Sequence, residues 1–291
     1  MARRTPSSVH GVVVVDKPAG MTSHDVVDQL RRRFGERRIG HSGTLDPPAT
    51  GVLVCAVGRA TRLLRFVTDL PKTYTGEIVL GVATTTLDDA GEVTGRWDMG
   101  SVDAGAVQAA AAGLTGDILQ VPPMVSAVRL GGRRLHELAR AGMTVDRQAR
   151  PVTVHSFDVQ PTADPSVWHA SVRCGSGTFV RVLASDLGER LGGGAHLRGL
   201  RRTAIGSFTE AEAGAVSEAP LLDVAEGVRD LPAVTVDAAT AVRVAHGAPL
   251  DLSAAPPAAA PCAVFGPDGL LAVYEVAGER MKPVVVLAGA G

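Results

Sequence analysis

The sequence predicts a fold of mixed helices and strands that ends in a small β domain, and three observations predict it. Apolar residues fill 45% of the 291 positions and charged residues 20%, enough to bury a sizeable core and exclude global disorder. Short apolar runs that read as strands are interspersed with stretches of helical spacing. From about Ala204 onward basic residues thin out, and valine-rich runs flank turns at Gly247, 267–269 and Gly278. That pattern reads as a small β domain over 231–291 after one large domain over 1–230.

The elements follow in order. Residues 11–16 are a run of valines, a buried strand that Lys17-Pro18-Ala19-Gly20 breaks. Thr22 and Asp25 form a capping box for a helix with apolar Val26, Val27, Leu30 and Phe34. The arginines at 31–33 read as its solvated C-terminal end, where cations offset the helix dipole. Residues 40–51 (GHSGTLDPPATG) are a loop, and 52–57 a strand. Residues 72–82 have strand character, 84–94 look like a polar connection, and 102–114 an alanine-rich helix. Residues 121–150 open with Pro122-Pro123, turn at Gly131-Gly132 and continue as a basic helix over 133–140. A strand at 168–174 and a helix at 179–191, with apolar Val182, Leu183 and Leu187, complete the large domain.

The net charge of −1 conceals an asymmetry. Residues 1–65 carry 11 basic and 5 acidic side chains, whereas 204–291 carry 4 and 11. The basic end allows a polyanion on one side of the molecule. Three scattered cysteines without a CxxC pair suit a reducing compartment rather than a disulfide framework. No apolar run approaches the ~20 residues that span a bilayer, and the first residues lack a signal-peptide core. A soluble cytoplasmic protein is expected.

Few segments carry chemistry. Gly175-Ser176-Gly177 only imitates the start of a dinucleotide fingerprint, and there is no P-loop, nucleophile elbow or H-E-x-x-H. The eight histidines do not cluster, so neither metal nor cofactor is expected. In the 40–51 loop the ionisable groups are His41 and Asp46. Glycines there permit close backbone approach to a ligand and prolines stiffen the turn. The same spacing is equally that of an ordinary Asx-turn.

Five blocks in order then resemble the TruB-type bacterial tRNA pseudouridine synthases: DKPAGMTSHDVV at 16–27, GHSGTLDPPATGVL at 40–53, KTY at 72–74, VPPMVSAVRLGGRRLHELAR at 121–140, and GTFVRVLASDLGERLGGGAHLRGLRRTAIGSF at 177–208. The resemblance implies the α+β pseudouridine synthase fold, a mixed and largely antiparallel sheet with a central cleft, and a PUA-like C-terminal domain. It implies conversion of uridine 55 in the T-loop of tRNA to pseudouridine on a flipped-out nucleotide, without metal or cofactor. Asp46 matches the nucleophile, whether at C6 of the base or C1′ of the ribose, and Arg181 the arginine that pairs with it by a two-pronged contact. Tyr74 matches the tyrosine that stacks on the base and serves proton transfer. His41 matches a histidine beside displaced nucleotides, and Leu200 a residue of the uracil pocket. Lys17 and Pro18 match the motif behind the catalytic loop. Phe179 stands where the family usually has tyrosine, and Ser42 where threonine is common.

The block at 121–150 resembles a mobile RNA-gripping insertion, whose Arg133, Arg134 and Arg140 are candidates for phosphate contacts. The partner implied is the T-arm of tRNA, bound by a monomer with no obligate protein partner. Two other classes compete on the residues alone, an RNA-folding protein and an aspartate-nucleophile hydrolase. The second lacks a partner carboxylate in any motif.

Overall fold

The computed structural model describes residues 9–251 and 261–287. The polar lead at 1–8 and all but the last residue of the Pro/Ala stretch at 254–261 lie outside them. Nine strands form the main sheet: β1 (Gly11–Lys17), β2 (Ile39–His41), β3 (Thr50–Val57), β4 (Lys72–Leu80), β5 (Gly116–Gln120), β6 (Arg150–Pro161), β7 (Val167–Cys174), β8 (Ala195–Ile205) and β9 (Phe208–Thr209). The path across it is β1-β3-β8-β4-β7-β6-β5, with β2 on β3 and β9 on β8. Every pairing is antiparallel except β8 with β3, which join in parallel through Arg201–Thr50 and Arg202–Gly51. The chain is thus α+β with a mixed, mostly antiparallel sheet.

The valine runs make sense because both faces of β1 and β3 are covered, and uninterrupted apolar strands need cover on both sides. Val12, Val14, Val52 and Val54 enter one core, while Val13, Val15, Leu53 and Cys55 enter another. The second core receives Val26, Val27 and Leu30 from the helix Ser23–Phe34. That helix starts on the Thr22–Asp25 capping box and stops at Gly35, whose φ of 63° is left-handed. Two of the three arginines at its end do more than face water. Arg31 binds Asp28 and the Arg37 carbonyl, and Arg33 the carbonyls of Val216 and Ala219. The other half of the sheet packs the helices Ala104–Ala112 and Val180–Arg190 through Val107, Ala111, Leu183 and Leu187.

Between β5 and β6, the Gly131-Gly132 turn joins two-residue strands at Arg129–Leu130 and Arg133–Arg134. Both glycines have positive φ, as a tight hairpin requires. The helix expected over 133–140 therefore starts only at Leu135 and runs to Arg140. At the C-terminal end, five strands form a second sheet in the order Ala233–Thr235, Cys262–Gly266, Gly269–Ala277, Arg280–Val286, Leu250–Asp251. One set of its side chains, including Cys262, Val264 and Tyr274, makes a small core with Val244 of the helix Ala238–Ala245. Another set, Ala263, Val273, Val285 and Leu287, joins the core of Val12, Phe66, Phe208 and Val228 in the large domain.

Candidate active site

The segment 42–49, between β2 and β3, is held from several directions. Ser23, buried at the start of its helix, accepts from Leu45 N at 2.9 Å and donates to Leu45 O at 3.2 Å. Lys17 is wholly buried, and its ammonium donates to the carbonyls of Pro18 (2.9 Å), Met21 (2.6 Å) and Pro47 (3.3 Å). Gly20 N also donates to Pro47 O. Within the turn Ala49 N closes on Asp46 O. On the far side Arg202 donates to Gly43 O (3.1 Å) and Val52 O (2.7 Å). Each clamp satisfies a main-chain group that a buried loop would otherwise strand.

What the loop presents is Asp46. Its side chain is 37% exposed and lies 2.9 Å from Nη2 of Arg181, which is only 4% exposed. The guanidinium does not offer both prongs to Asp46. Nη1 donates to Thr86 O (2.7 Å), Nη2 also to Val125 O (3.0 Å), and Nε faces the carboxylate of Asp88 at 3.6 Å. Asp88 sits on the connection at 84–94, which sequence reading treats as a polar linker. It is aimed by a turn in which Leu87 has φ 63°, the one left-handed residue other than glycine among those described. Thr86 Oγ1 and Ala90 N donate to its other oxygen. Asp46, Ala49, Asp88, Arg181, Leu197 and Leu200 are among the residues lining a cleft. A half-exposed carboxylate held on a buried cation and lining a cleft is an oriented anion open to a ligand there.

The remaining predicted residues separate into groups. Leu200 lines the cleft beside Asp46. Tyr74 lies on β4, 8% exposed, in one core with Leu45 and Ala49 under the Asp46 loop. Burial raises the pKa of its hydroxyl, an effect that the charge of Arg202 opposes. His41 is partly buried, and burial together with Arg202 lowers its pKa, favouring the neutral ring. Phe179 precedes the helix carrying Arg181. Gln120 fixes its backbone with two hydrogen bonds, at 2.8 and 3.1 Å. Pro18 is exposed and serves Lys17 through its carbonyl, and that burial of Lys17 leaves it no access to a phosphate. Arg133, Arg134 and Arg140 are exposed on the insertion, away from the cleft lining.

Sequence reading overlooks Asp88, Ser23, Gln120 and Arg202. Of these, Arg202 stands out only as the second arginine of the pair that follows Leu200. Gly51 shows how closely that strand approaches: its φ is +102°, and a Cβ there would stand 2.2 Å from Arg202 O. Gly51→Ala is therefore expected to destabilise the protein by more than about 2 kcal/mol, measured by urea unfolding. Desolvation first, then Arg202, lowers both Lys17 and Lys72 to about 8. Because the folded values lie below the unfolded one, the lysine contribution to stability is fully present above the ordinary lysine range and is lost as the pH falls to about 8. Thermal melts should accordingly show Tm rising with pH over that window, and Lys72→Met should flatten the rise.

Comparison with known proteins accords with this geometry. Residues 31–180 match the model of the TruB family pseudouridylate synthase N-terminal domain, and 181–230 that of the tRNA pseudouridylate synthase B C-terminal domain. Residues 231–288 match the tRNA pseudouridine synthase II C-terminal model. The tRNA pseudouridine synthase B of Arthrobacter sp. (strain FB24) is 45% identical, covering 96% of each chain. That of Thermobifida fusca (strain YX) is 46% identical over 96% of this chain and 99% of its own. Among solved structures, a chain of an H/ACA RNP bound to a substrate RNA containing 2′-deoxyuridine superposes with a TM-score of 0.72. It is 22% identical and covers 96% of this chain and 86% of that one. A chain of a Cbf5-Nop10-Gar1 complex gives 0.71 at 24% identity, with 96% and 83% covered. At such identities these two show the fold alone. The relatives nearly half identical from end to end show more: the chain belongs to the TruB family of pseudouridylate synthases, isomerases that convert uridine to pseudouridine in tRNA.

Proposed function

We propose that the uridine converted is uridine 55 of the tRNA T-loop, and that Asp46 is the nucleophile acting on it after the nucleotide has left the stack. The observation that carries this reading is the Asp46–Arg181 contact in the lining of the cleft. In the reaction the N1–C1′ bond breaks, a C5–C1′ bond forms, C5 loses a proton and N1 gains one. Nothing is oxidised or lost. The demands are therefore an oriented carboxylate, room for the detached base to turn, and exclusion of water. Leu197 and Leu200 supply an apolar wall for the base. Tyr74, beneath the loop, is the group we assign to proton transfer at C5.

The substrate acts through the T-arm, recognised by shape and splayed nucleotides, and the enzyme works in the cytoplasm as a monomer without an obligate protein partner. Three buried free cysteines accord with a reducing compartment. The test is to incubate the protein with an unmodified tRNA transcript and map pseudouridine by chemical probing. One modified uridine, at position 55, is expected; modification elsewhere defeats the assignment. The exposed Arg133, Arg134 and Arg140 are assigned to phosphates. Replacing any one by alanine should reduce the slope of log affinity against log salt by ~1, measured by filter binding across a salt series.

A further inference from the structure

Arg202 is 1% exposed, one of the largest wholly buried side chains among the described residues, and none of the roles above gives it a part in the reaction. Its bonded partners among those residues are carbonyl oxygens rather than a carboxylate. Burying a cation on such terms is costly, and it persists where the geometry it enforces matters. The two carbonyls, Gly43 O and Val52 O, bracket the Asp46 loop at its entry and exit. On the strand, Arg202 pairs with Gly51 on one side and directly faces Tyr74 on the other. Residues facing each other across a ladder project to the same side of the sheet. The Arg202 side chain accordingly stands on the Tyr74 side of the sheet, and its charge acts on the phenol.

We infer that Arg202 is a positioning residue for the isomerisation, its guanidinium tying both ends of the Asp46 loop to Tyr74 so that nucleophile and tyrosine keep one spacing. This rests on the reading of Asp46 and Tyr74 as the groups that meet the nucleotide. The neighbouring buried lysines do not make that link. Lys17 reaches the loop only at Pro47 O, and Lys72 binds the carbonyls of Thr68 and Leu70. A planar fork with several fixed donors can hold both carbonyls while its charge faces the Tyr74 side, whereas an ammonium is a point charge. Burial pushes the tyrosine pKa up, and the Arg202 charge opposes that shift.

The experiment is a double-mutant cycle with Tyr74→Phe, read as single-turnover pseudouridine formation and as tRNA affinity. Arg202→Met should keep tRNA affinity within about threefold and lower the rate by about 100-fold or more, yet lower it by less than about tenfold when Tyr74 is already phenylalanine. Arg202→Lys keeps the charge but not the fork, and should bind tRNA normally with a rate reduced by about tenfold or more. Should the methionine variant fail to fold, the lysine variant decides alone, again with and without Tyr74→Phe. Losses that simply multiply across the cycle, or an Arg202→Lys rate within about threefold of the parent, overturn the inference. Asp46→Asn run in parallel separates the two readings. If it still forms product, the assignment of the nucleophile has failed; if it does not, and Tyr74→Phe alone slows the rate, a negative cycle counts against Arg202 alone.

Discussion

Asp46→Asn is expected to abolish pseudouridine formation, by about 10⁴-fold or more in single-turnover rate, while tRNA binding stays near that of the parent. The amide has the shape of the carboxylate but cannot act as an anionic nucleophile. Nor should the fold suffer. Arg181 loses one of its two carboxylates but keeps Asp88 and the carbonyls of Thr86 and Val125, so the buried guanidinium is not stranded. The loop keeps its clamps from Ser23, Lys17 and Arg202, all of which hold main-chain atoms. Rate and affinity therefore part company. An Asp46→Asn protein that makes product at the parent rate sinks the nucleophile assignment, and one that has lost tRNA affinity assigns the side chain to binding.

Arg181→Met should behave differently, losing both activity and stability. The guanidinium joins Asp46, Asp88, the 84–94 connection and the start of the insertion. Its removal leaves two carboxylates facing a space without a cation, one of them on Asp88, itself 9% exposed. Breaking one side of a buried pair costs ~3–5 kcal/mol, and unfolding in urea should show a loss of that order. The rate should fall by about 10³-fold as the nucleophile loses its orientation and counter-charge. Arg181→Lys restores one contact and should recover part of the stability but little of the rate. A methionine variant with parent-like turnover removes Arg181 from the site.

What could be read in the sequence was whatever is local. The valine run of β1, the Thr22–Asp25 box and the Gly131-Gly132 turn are decided by neighbours within a few residues, and each is found where it was expected. Asp46 and Arg181 were legible through a family resemblance, since no local rule joins residues so far apart in sequence. The overlooked strands show the limit. Ala195–Ile205 lies in the interior of the sheet, yet it carries four arginines or histidines and a glycine, so it lacks clean alternation. Its polar residues are there for Asp16, Glu77, Val52 O and Gly43 O, partners that only the tertiary structure supplies. Asp88 was hidden for the same reason: its turn is polar like any linker, and its meaning comes from a guanidinium on a helix far along the chain.

The way the C-terminal sheet is seated has a practical bearing. Three of its buried apolar side chains, with Leu287 just past its Arg280–Val286 strand, complete a core begun by the large domain, and Arg62 of that domain reaches the Val286 carbonyl. Cutting the chain near residue 230 thus strips hydrocarbon cover from Val12, Phe66 and Phe208. A shortened protein that precipitates or loses turnover reports a damaged interior, and such deletions cannot be used to decide whether the nucleic acid touches the tail.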